Sequence, residues 1–123
     1  MKLSTWRLAL GVAAALLAAS GATATTFTED GTVDGTNLNL PAGHTEYYVK
    51  NCVLGQLSLV AVDDNAVVFV ADSTFTTTTV SAIWWSGTAT NVRVTFTNVV
   101  ATSDDFKGMR IPTLVGTSSV SFI

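Results

Sequence analysis

The chain has 123 residues, which is enough for one domain. Nine acidic and six basic residues give a formal net charge of −3 at pH 7, and the basic residues form no patch. This charge balance argues against nucleic acids and anionic membrane surfaces as partners.

Residues 1–24 are predicted to be a cleaved secretory signal peptide. Lys2 and Arg7 precede an apolar run at 8–19, and the small residues at 22–24 (ATA) fit a cleavage site after Ala24. The run is shorter than the ~20 residues that a spanning helix needs. No long apolar run follows, so we expect a secreted or cell-surface protein whose mature chain does not span a membrane.

Residues 25–44 are predicted to be a leader or cap segment. Asp30-Gly31 is a strong turn dipeptide that could form a short hairpin. The residues at 37–40 (NLNL) alternate like a strand, which Pro41 ends. The segment is therefore either a first, imperfect rung of the structure that follows or a cap over the open end of its core.

From residue 45 onward the chain repeats one short phrase, which is clearest at 68–75 (VFVADSTF). The phrase occurs also at 47–54 and 94–101, and it begins again at 120–123. Alternating apolar residues point to one face of a strand, and a single polar residue then marks a turn. Alignment on that residue places Asn51, Asp72 and Asn98 at equivalent positions, and Phe122 opposite Phe96.

This pattern predicts an all-β fold, and two architectures remain open. In a short right-handed parallel β-helix of about three coils, spanning 45–123, like phrases stack on one another. Asn51, Asp72 and Asn98 would then form a ladder in which each polar group finds a partner. The similarity of the phrases favours this fold, as does the lack of Asn-Gly or Asp-Gly hairpin turns after Gly35. The alternative is an antiparallel β-sandwich.

The segments YYVKNCVLG, VVFVADSTF and VRVTFTNVVAT resemble the phrases of pectin-lyase-like right-handed β-helix proteins. More specifically, they are similar to segments of large surface proteins of kinetoplastid protozoa. These are the proteins of the dispersed gene family and related membrane-associated proteins. The resemblance implies long chains of many coils, often with a membrane anchor. This chain stops one residue before the next expected polar position, so it is interpreted as a truncated fragment. An open β-edge at Val120–Ile123 predicts self-association.

No catalytic or metal-binding residues and no cofactor are predicted. The lone cysteine, Cys52, occupies the phrase position of Ser73 and Val99, which predicts a buried structural thiol. His44 is the single histidine and supplies no metal-ligand cluster.

The carboxylates form two adjacent pairs, Asp63-Asp64 and Asp104-Asp105, that need not stack, because they lie at different distances from the aligned polar residues. Lys107 and Arg110 could complete a site beside the second pair, but charges on solvated turns are the simpler interpretation.

Trp84-Trp85 is the candidate ligand-binding feature. Adjacent strand residues face opposite ways, and Trp84 is in phase with Val80 and Ala82. This phase predicts that Trp84 points into the core and that Trp85 points outward as a stacking platform for a sugar. In the alternative, both rings pack under the loop at 86–91.

These observations predict a non-enzymatic, adhesin-like protein that interacts with glycans, or with another protein through the open edge. Two alternatives remain. One is a fragment of a carbohydrate-active enzyme, such as a polysaccharide lyase, on the same fold. The other is a small secreted β-sandwich that acts as a binding module.

Overall fold

The computed structural model describes residues 24–78, 80–104 and 108–123, and in these residues the chain consists of β-strands and their connections. The prediction of an all-β chain is confirmed. The predicted signal peptide, apart from Ala24, lies outside the described residues, as do Asp105 and Lys107. The strands are β1 (Thr26–Asp30), β2 (Leu38–Asn39), β3 (Glu46–Lys50), β4 (Val53–Leu54), β5 (Leu57–Ser58), β6 (Val67–Thr77), β7 (Ile83–Trp84), β8 (Thr88–Thr90), β9 (Arg93–Ser103), β10 (Met109–Arg110), β11 (Thr113–Val115) and β12 (Ser119–Phe122).

The strands form three sheets. The long sheet has the order β1-β3-β6-β9-β12, with β4 also paired to β6. The second sheet has the order β10-β7-β5-β2, and the third pairs β11 with β8. Every pair among the described strands is parallel. The antiparallel sandwich therefore does not describe this arrangement.

The register of the long sheet stacks the repeated phrases. Val68 lies between Tyr47 on β3 and Val94 on β9, and Phe122 lies opposite Phe96, as the alignment of the phrases predicts. Because in-register neighbours point to the same face, apolar residues at equivalent positions form continuous columns. Tyr47, Val68 and Val94 are fully buried in one such column.

Residues 25–44 add a further rung to the same sheets. β1 pairs in parallel with β3, and β2 pairs in parallel with β5. The hairpin considered at Asp30-Gly31 does not form, because the Gly31 amide donates to the Lys50 carbonyl of the next rung (3.0 Å). The segment is therefore a first rung of the sheets and not a cap over the open end of the core.

Each rung of the long sheet turns at the same position, which we call the turn column. Its members share left-handed backbone angles: Gly31 (φ 80°), Asn51 (55°), Asp72 (51°) and Asn98 (51°). Gly, Asn and Asp adopt this conformation more readily than other residues. The Asn98 amide donates to Asp72 (2.8 Å), and the Asn51 amide donates to Asp30 (3.0 Å). The predicted ladder residues therefore share one corner and are linked to neighbouring rungs.

A second corner uses the same chemistry, and the sequence pattern did not reveal it. Asn65, Asn91 and Gly116 have φ angles of 66°, 55° and 67°. The Asn91 amide donates to Asn65 (3.0 Å), and the Asn91 oxygen accepts from the Thr117 amide (3.0 Å). A Cβ atom at Gly116 would clash with that oxygen, and the left-handed φ there also favours glycine.

The core lies between the sheets and draws on all three of them. Val70 of the long sheet, Ile83 of the second and Ala89 of the third belong to one buried cluster. Cys52 is also part of it, and its thiol is free and buried. Since the inward columns fill the core, the outward columns are the surface on which a binding site can form.

Candidate ligand groove on the long sheet

The candidate site is on the outer face of the long sheet, where β3, β6 and β9 lie side by side. Two columns of outward residues meet here. Tyr48, Phe69 and Thr95 are in register in one column. Lys50, Ala71 and Thr97 are in register in the next. These six residues, with Val70, line a shallow depression of about 240 Å³, which we call the outer groove.

An aromatic stack forms one side of the outer groove. The rings of Tyr48 and Phe69 are nearly parallel (11°), with centroids 5.3 Å apart. Paired strands lie about 4.8 Å apart, so two aromatic residues in register stack face to face. Phe69 is 40% exposed and Tyr48 is 8% exposed. Phe69 is therefore the ring available to a ligand.

The groove exists because the aromatic column stops at Phe69. The next residue in that column is Thr95, and the adjacent column continues with Ala71 and Thr97. These side chains are shorter than an aromatic ring, so the surface drops beside Phe69. The turn column follows directly after Lys50, Ala71 and Thr97, and so fixes one end of the groove.

A buried carboxyl group lies beside the aromatic stack. The Tyr48 hydroxyl donates to Glu46 Oε2 (3.3 Å), and Glu46 Oε1 has no hydrogen-bond partner. Burial raises the pKa of Glu46, and the Tyr48 hydrogen bond partly opposes that rise. Burial and the neighbouring Glu46 together raise the pKa of Tyr48 to about 12. Tyr48 is therefore protonated and acts as a hydrogen-bond donor.

The predicted orientation of the two tryptophans is wrong. Trp85 is only 3% exposed and belongs to the core, whereas Trp84 is partly exposed. The prediction extended one alternating phase from Val80 to Trp84, but Ser81 and Ala82 are both buried, so the alternation is interrupted before β7 begins. Ile83 then faces inward and Trp84 outward, where the Arg110 guanidinium lies 4.6 Å from the Trp84 ring centre.

Cys52 and His44 occupy structural positions. The Cys52 thiol donates to the Lys50 carbonyl (3.1 Å), and one rung above it the Ser73 hydroxyl donates to Ala71 in the same way (2.8 Å). The His44 ring packs against Phe27 and Tyr47, with centroids 5.8 and 5.7 Å away. These contacts place both residues in the packing of the rungs.

The carboxylates of the first Asp pair, Asp63-Asp64, also support local structure. Asp63 accepts from the Gly43 amide (2.9 Å), and Asp64 accepts from the Thr90 amide (3.2 Å). Within the described part of the chain, no group of three or more His, Cys, Asp or Glu residues could hold a metal ion. Nor does this part contain a helix of the length and apolarity that crossing a membrane requires.

Comparisons with protein-family models, curated proteins and solved structures gave no significant match to this chain. The resemblance to pectin-lyase-like surface proteins therefore stays a prediction.

The sequence contains a signal for the outer groove that alignment on Asn51, Asp72 and Asn98 does not reveal. Outward residues lie between the inward residues of each phrase, and they include Tyr48 in YYVK and Phe69 in VVFVA. Aromatic residues at equivalent outward positions of neighbouring rungs predict a stack on the surface.

Proposed function

We propose that the chain is a short right-handed parallel β-helix that is exported and acts as a non-enzymatic binding protein outside the cell or at its surface. Successive rungs pass from the long sheet to the second sheet in the same order, and every pairing among the described strands is parallel. Crossovers between parallel strands of one sheet are right-handed in nearly all proteins, which supports the hand of the coil.

The outer groove carries the proposal that the protein binds a ligand. Phe69 is a large apolar side chain that is 40% exposed beside a depression lined by Ala71, Thr95 and Thr97. A sheet surface that served only for solubility would not require an aromatic ring beside a depression. Concave sites with apolar walls and a few polar groups are typical of ligand binding.

The composition of the groove favours binding over catalysis. Its lining residues are Tyr48, Lys50, Phe69, Val70, Ala71, Thr95 and Thr97. They include no carboxylate, whereas glycoside hydrolysis uses a pair of carboxyl groups on either side of the bond. Polar groups in the lining can orient a ligand without transferring a proton to it.

The proposal is tested by the binding of labelled mature chain, residues 25–123, to intact cultured animal cells in flow cytometry. We expect saturable binding that falls about tenfold for Phe69→Ser, the equivalent of about 1.4 kcal/mol. Val100→Ser is the matched control, because Val100 is an exposed apolar residue of β9 outside the groove lining (55% exposed).

Circular dichroism must show that both variants keep their strand content. If the wild type shows no saturable binding, or if Phe69→Ser binds as well as Val100→Ser does, the proposed function is wrong.

A further inference from the structure

The last rung, formed by β10, β11 and β12, leaves apolar side chains of the core open to solvent. Phe122 continues the column of the buried Phe96, yet it is 66% exposed. Leu114 continues the column of the buried Ala89, and it is also exposed. In the described chain β12 is the end strand of the long sheet. This end of the coil therefore presents a cross-section of the core.

The backbone of β12 presents hydrogen-bonding groups at the same edge. The Ser119 and Ile123 amides donate to carbonyl groups of β9 (3.0 and 2.8 Å). Alternate residues of a strand bond to the same side, so Ser121 also directs its backbone groups to β9. Val120 and Phe122 then direct their amide and carbonyl groups to the open side. An edge of this kind is a template for a further strand.

The opposite end of the coil does not fit as the partner of this edge. Phe122 and Glu29 lie at the two ends of one inward column, which runs through Phe96, Val70 and Val49. If β12 of one copy stacked on β1 of another in this register, the Glu29 carboxyl would be placed against the Phe122 ring. Burial of a charged group against an apolar ring is unfavourable. Head-to-tail stacking of copies is therefore disfavoured.

The same edge of a second copy is a better match. We infer that two copies of the chain associate through β12, with the two strands antiparallel and Ser121 opposite Ser121 of the second copy. Val120 then pairs with Phe122 of the second copy on each side of a two-fold axis. These are the residues whose backbone groups face the open side, so each pair exchanges two hydrogen bonds. A closed two-fold interface of this kind uses one surface patch of both copies.

The register follows from the two faces of the strand. A shift of one residue would place inward side chains opposite outward ones, which the buried face opposes. A shift of the axis to Val120 would place Phe122 opposite Ser118, whose hydroxyl donates to the Ala89 carbonyl (2.8 Å). Only apolar side chains meet on the inward face when the axis passes through Ser121. The inference is independent of the outer groove, which lies on β3, β6 and β9.

Disulfide cross-linking tests the symmetry of the pair. The variants are expressed from the full 123-residue sequence and carry Cys52→Ser, because Ser73 makes the same backbone contact one rung above. Opposite residues that are not hydrogen-bonded in an antiparallel pair have Cα atoms about 4.5 Å apart, which a disulfide can span. Ser121→Cys should therefore form a covalent dimer under mild oxidation, about tenfold or more faster than Thr28→Cys. Thr28 is the matched control, because it is exposed in the same outward column at the other end.

A second pair of positions tests the register. Ser119 should lie opposite Ile123 of the second copy, whereas the two Ser119 residues should be about 14 Å apart along the strands. Ser119→Cys and Ile123→Cys should each cross-link slowly alone and should form a mixed dimer when combined. Circular dichroism checks the strand content of every variant. This mixture carries the test by itself if Ser121→Cys loses strand content.

Three results would overturn the inference. Ser121→Cys could cross-link no faster than Thr28→Cys. A mixed dimer of these two variants could be the main product, which would show that β12 stacks on β1. Ser119→Cys could cross-link with itself faster than with Ile123→Cys, which would show a different register. Binding to cells that depends on Phe69 is measured separately, so each of these results leaves the proposed function standing.

Discussion

At the scale of single residues, asparagine and aspartate side chains allow the backbone to adopt left-handed angles at the corners of the rungs. The described residues with positive φ, apart from glycines, are all Asn or Asp: Asn51, Asn65, Asp72, Asn91 and Asn98. A left-handed conformation costs most L-residues about 1–2 kcal/mol, and short polar side chains reduce that cost through local hydrogen bonds. The bonds from Asn98 to Asp72 and from Asn91 to Asn65 also link one rung to the next. These residues allow each rung to turn at the same place.

Burial of the Glu46 carboxyl group makes the free energy of unfolding depend on pH. Burial raises its pKa above the ordinary value of 4.5, so the folded state binds a proton more tightly than the unfolded state. The resulting stabilisation is fully present below pH 4.5 and is lost as the pH rises through the raised pKa. One oxygen of this buried carboxyl group, Oε1, has no hydrogen-bond partner.

We therefore expect Glu46→Gln to melt at a higher temperature than the wild type at pH 7, and the difference to shrink as the pH approaches 4. The amide keeps one buried polar atom without a partner but cannot ionise, so the cost of burying a charge is removed, and the gain is about 1 kcal/mol. Scanning calorimetry at both pH values measures the effect. Glu29→Gln, on the neighbouring rung, controls for the loss of one negative charge. A lower melting temperature for Glu46→Gln at pH 7 would contradict the expectation.

At the scale of elements, the strands of the second and third sheets are very short, and their neighbours decide which residues they bury. β7 has two residues, of which Ile83 faces the core and Trp84 faces outward. Two residues are too few to set a phase from periodicity alone. Trp85 shares the inward face of Ile83, two residues earlier, and its amide still donates to the Arg110 carbonyl of the neighbouring rung (3.1 Å).

The two tryptophans should therefore differ sharply when truncated. Trp85→Ala removes a buried ring and is expected to cost about 3–5 kcal/mol. Trp84→Ala mainly removes the contact with Arg110, which is worth about 0.5–1 kcal/mol at an exposed site. Urea denaturation of both variants measures the two costs. Equal costs, or a larger cost at Trp84, would show that the assignment of the two rings is wrong.

At the scale of the whole molecule, the two ends of the long sheet differ. On β1, Glu29 occupies an inward position in register with Val49, and an inward charge on an edge strand disfavours further pairing. On β12, Phe122 stacks on Phe96 at 5.3 Å but is 66% exposed, and Ile123 is 83% exposed. The β12 end therefore presents an apolar edge and the β1 end does not.

We propose that residues 25–123, studied alone, self-associate through β12. Sedimentation velocity across a range of concentrations should show reversible association. Ser121→Lys should weaken it, because a charge on an edge strand opposes pairing. Thr28 occupies the same outward column at the opposite end, so Thr28→Lys is the matched control and should have no effect. A wild type that remains monomeric at all concentrations would contradict the proposal.

The alternation of apolar residues and the recurring Asn or Asp were sufficient to predict the all-β class and the alignment of neighbouring phrases. Both are properties of local sequence, because side chains alternate along a strand and few residues tolerate a left-handed turn. The equivalence of Asn51, Asp72 and Asn98 therefore follows from the sequence without knowledge of the strand pairing.

Other features were decided only by the tertiary structure. β1 and β2 form a first rung because they pair with β3 and β5, which follow them in the chain. The outer groove requires Tyr48, Phe69 and Thr95, which come from three different rungs, to be side by side. Burial of one tryptophan and exposure of the other depend on contacts between sheets. Local periodicity specifies which residues share a face, whereas the partners of that face come from distant parts of the chain, and only folding brings them together.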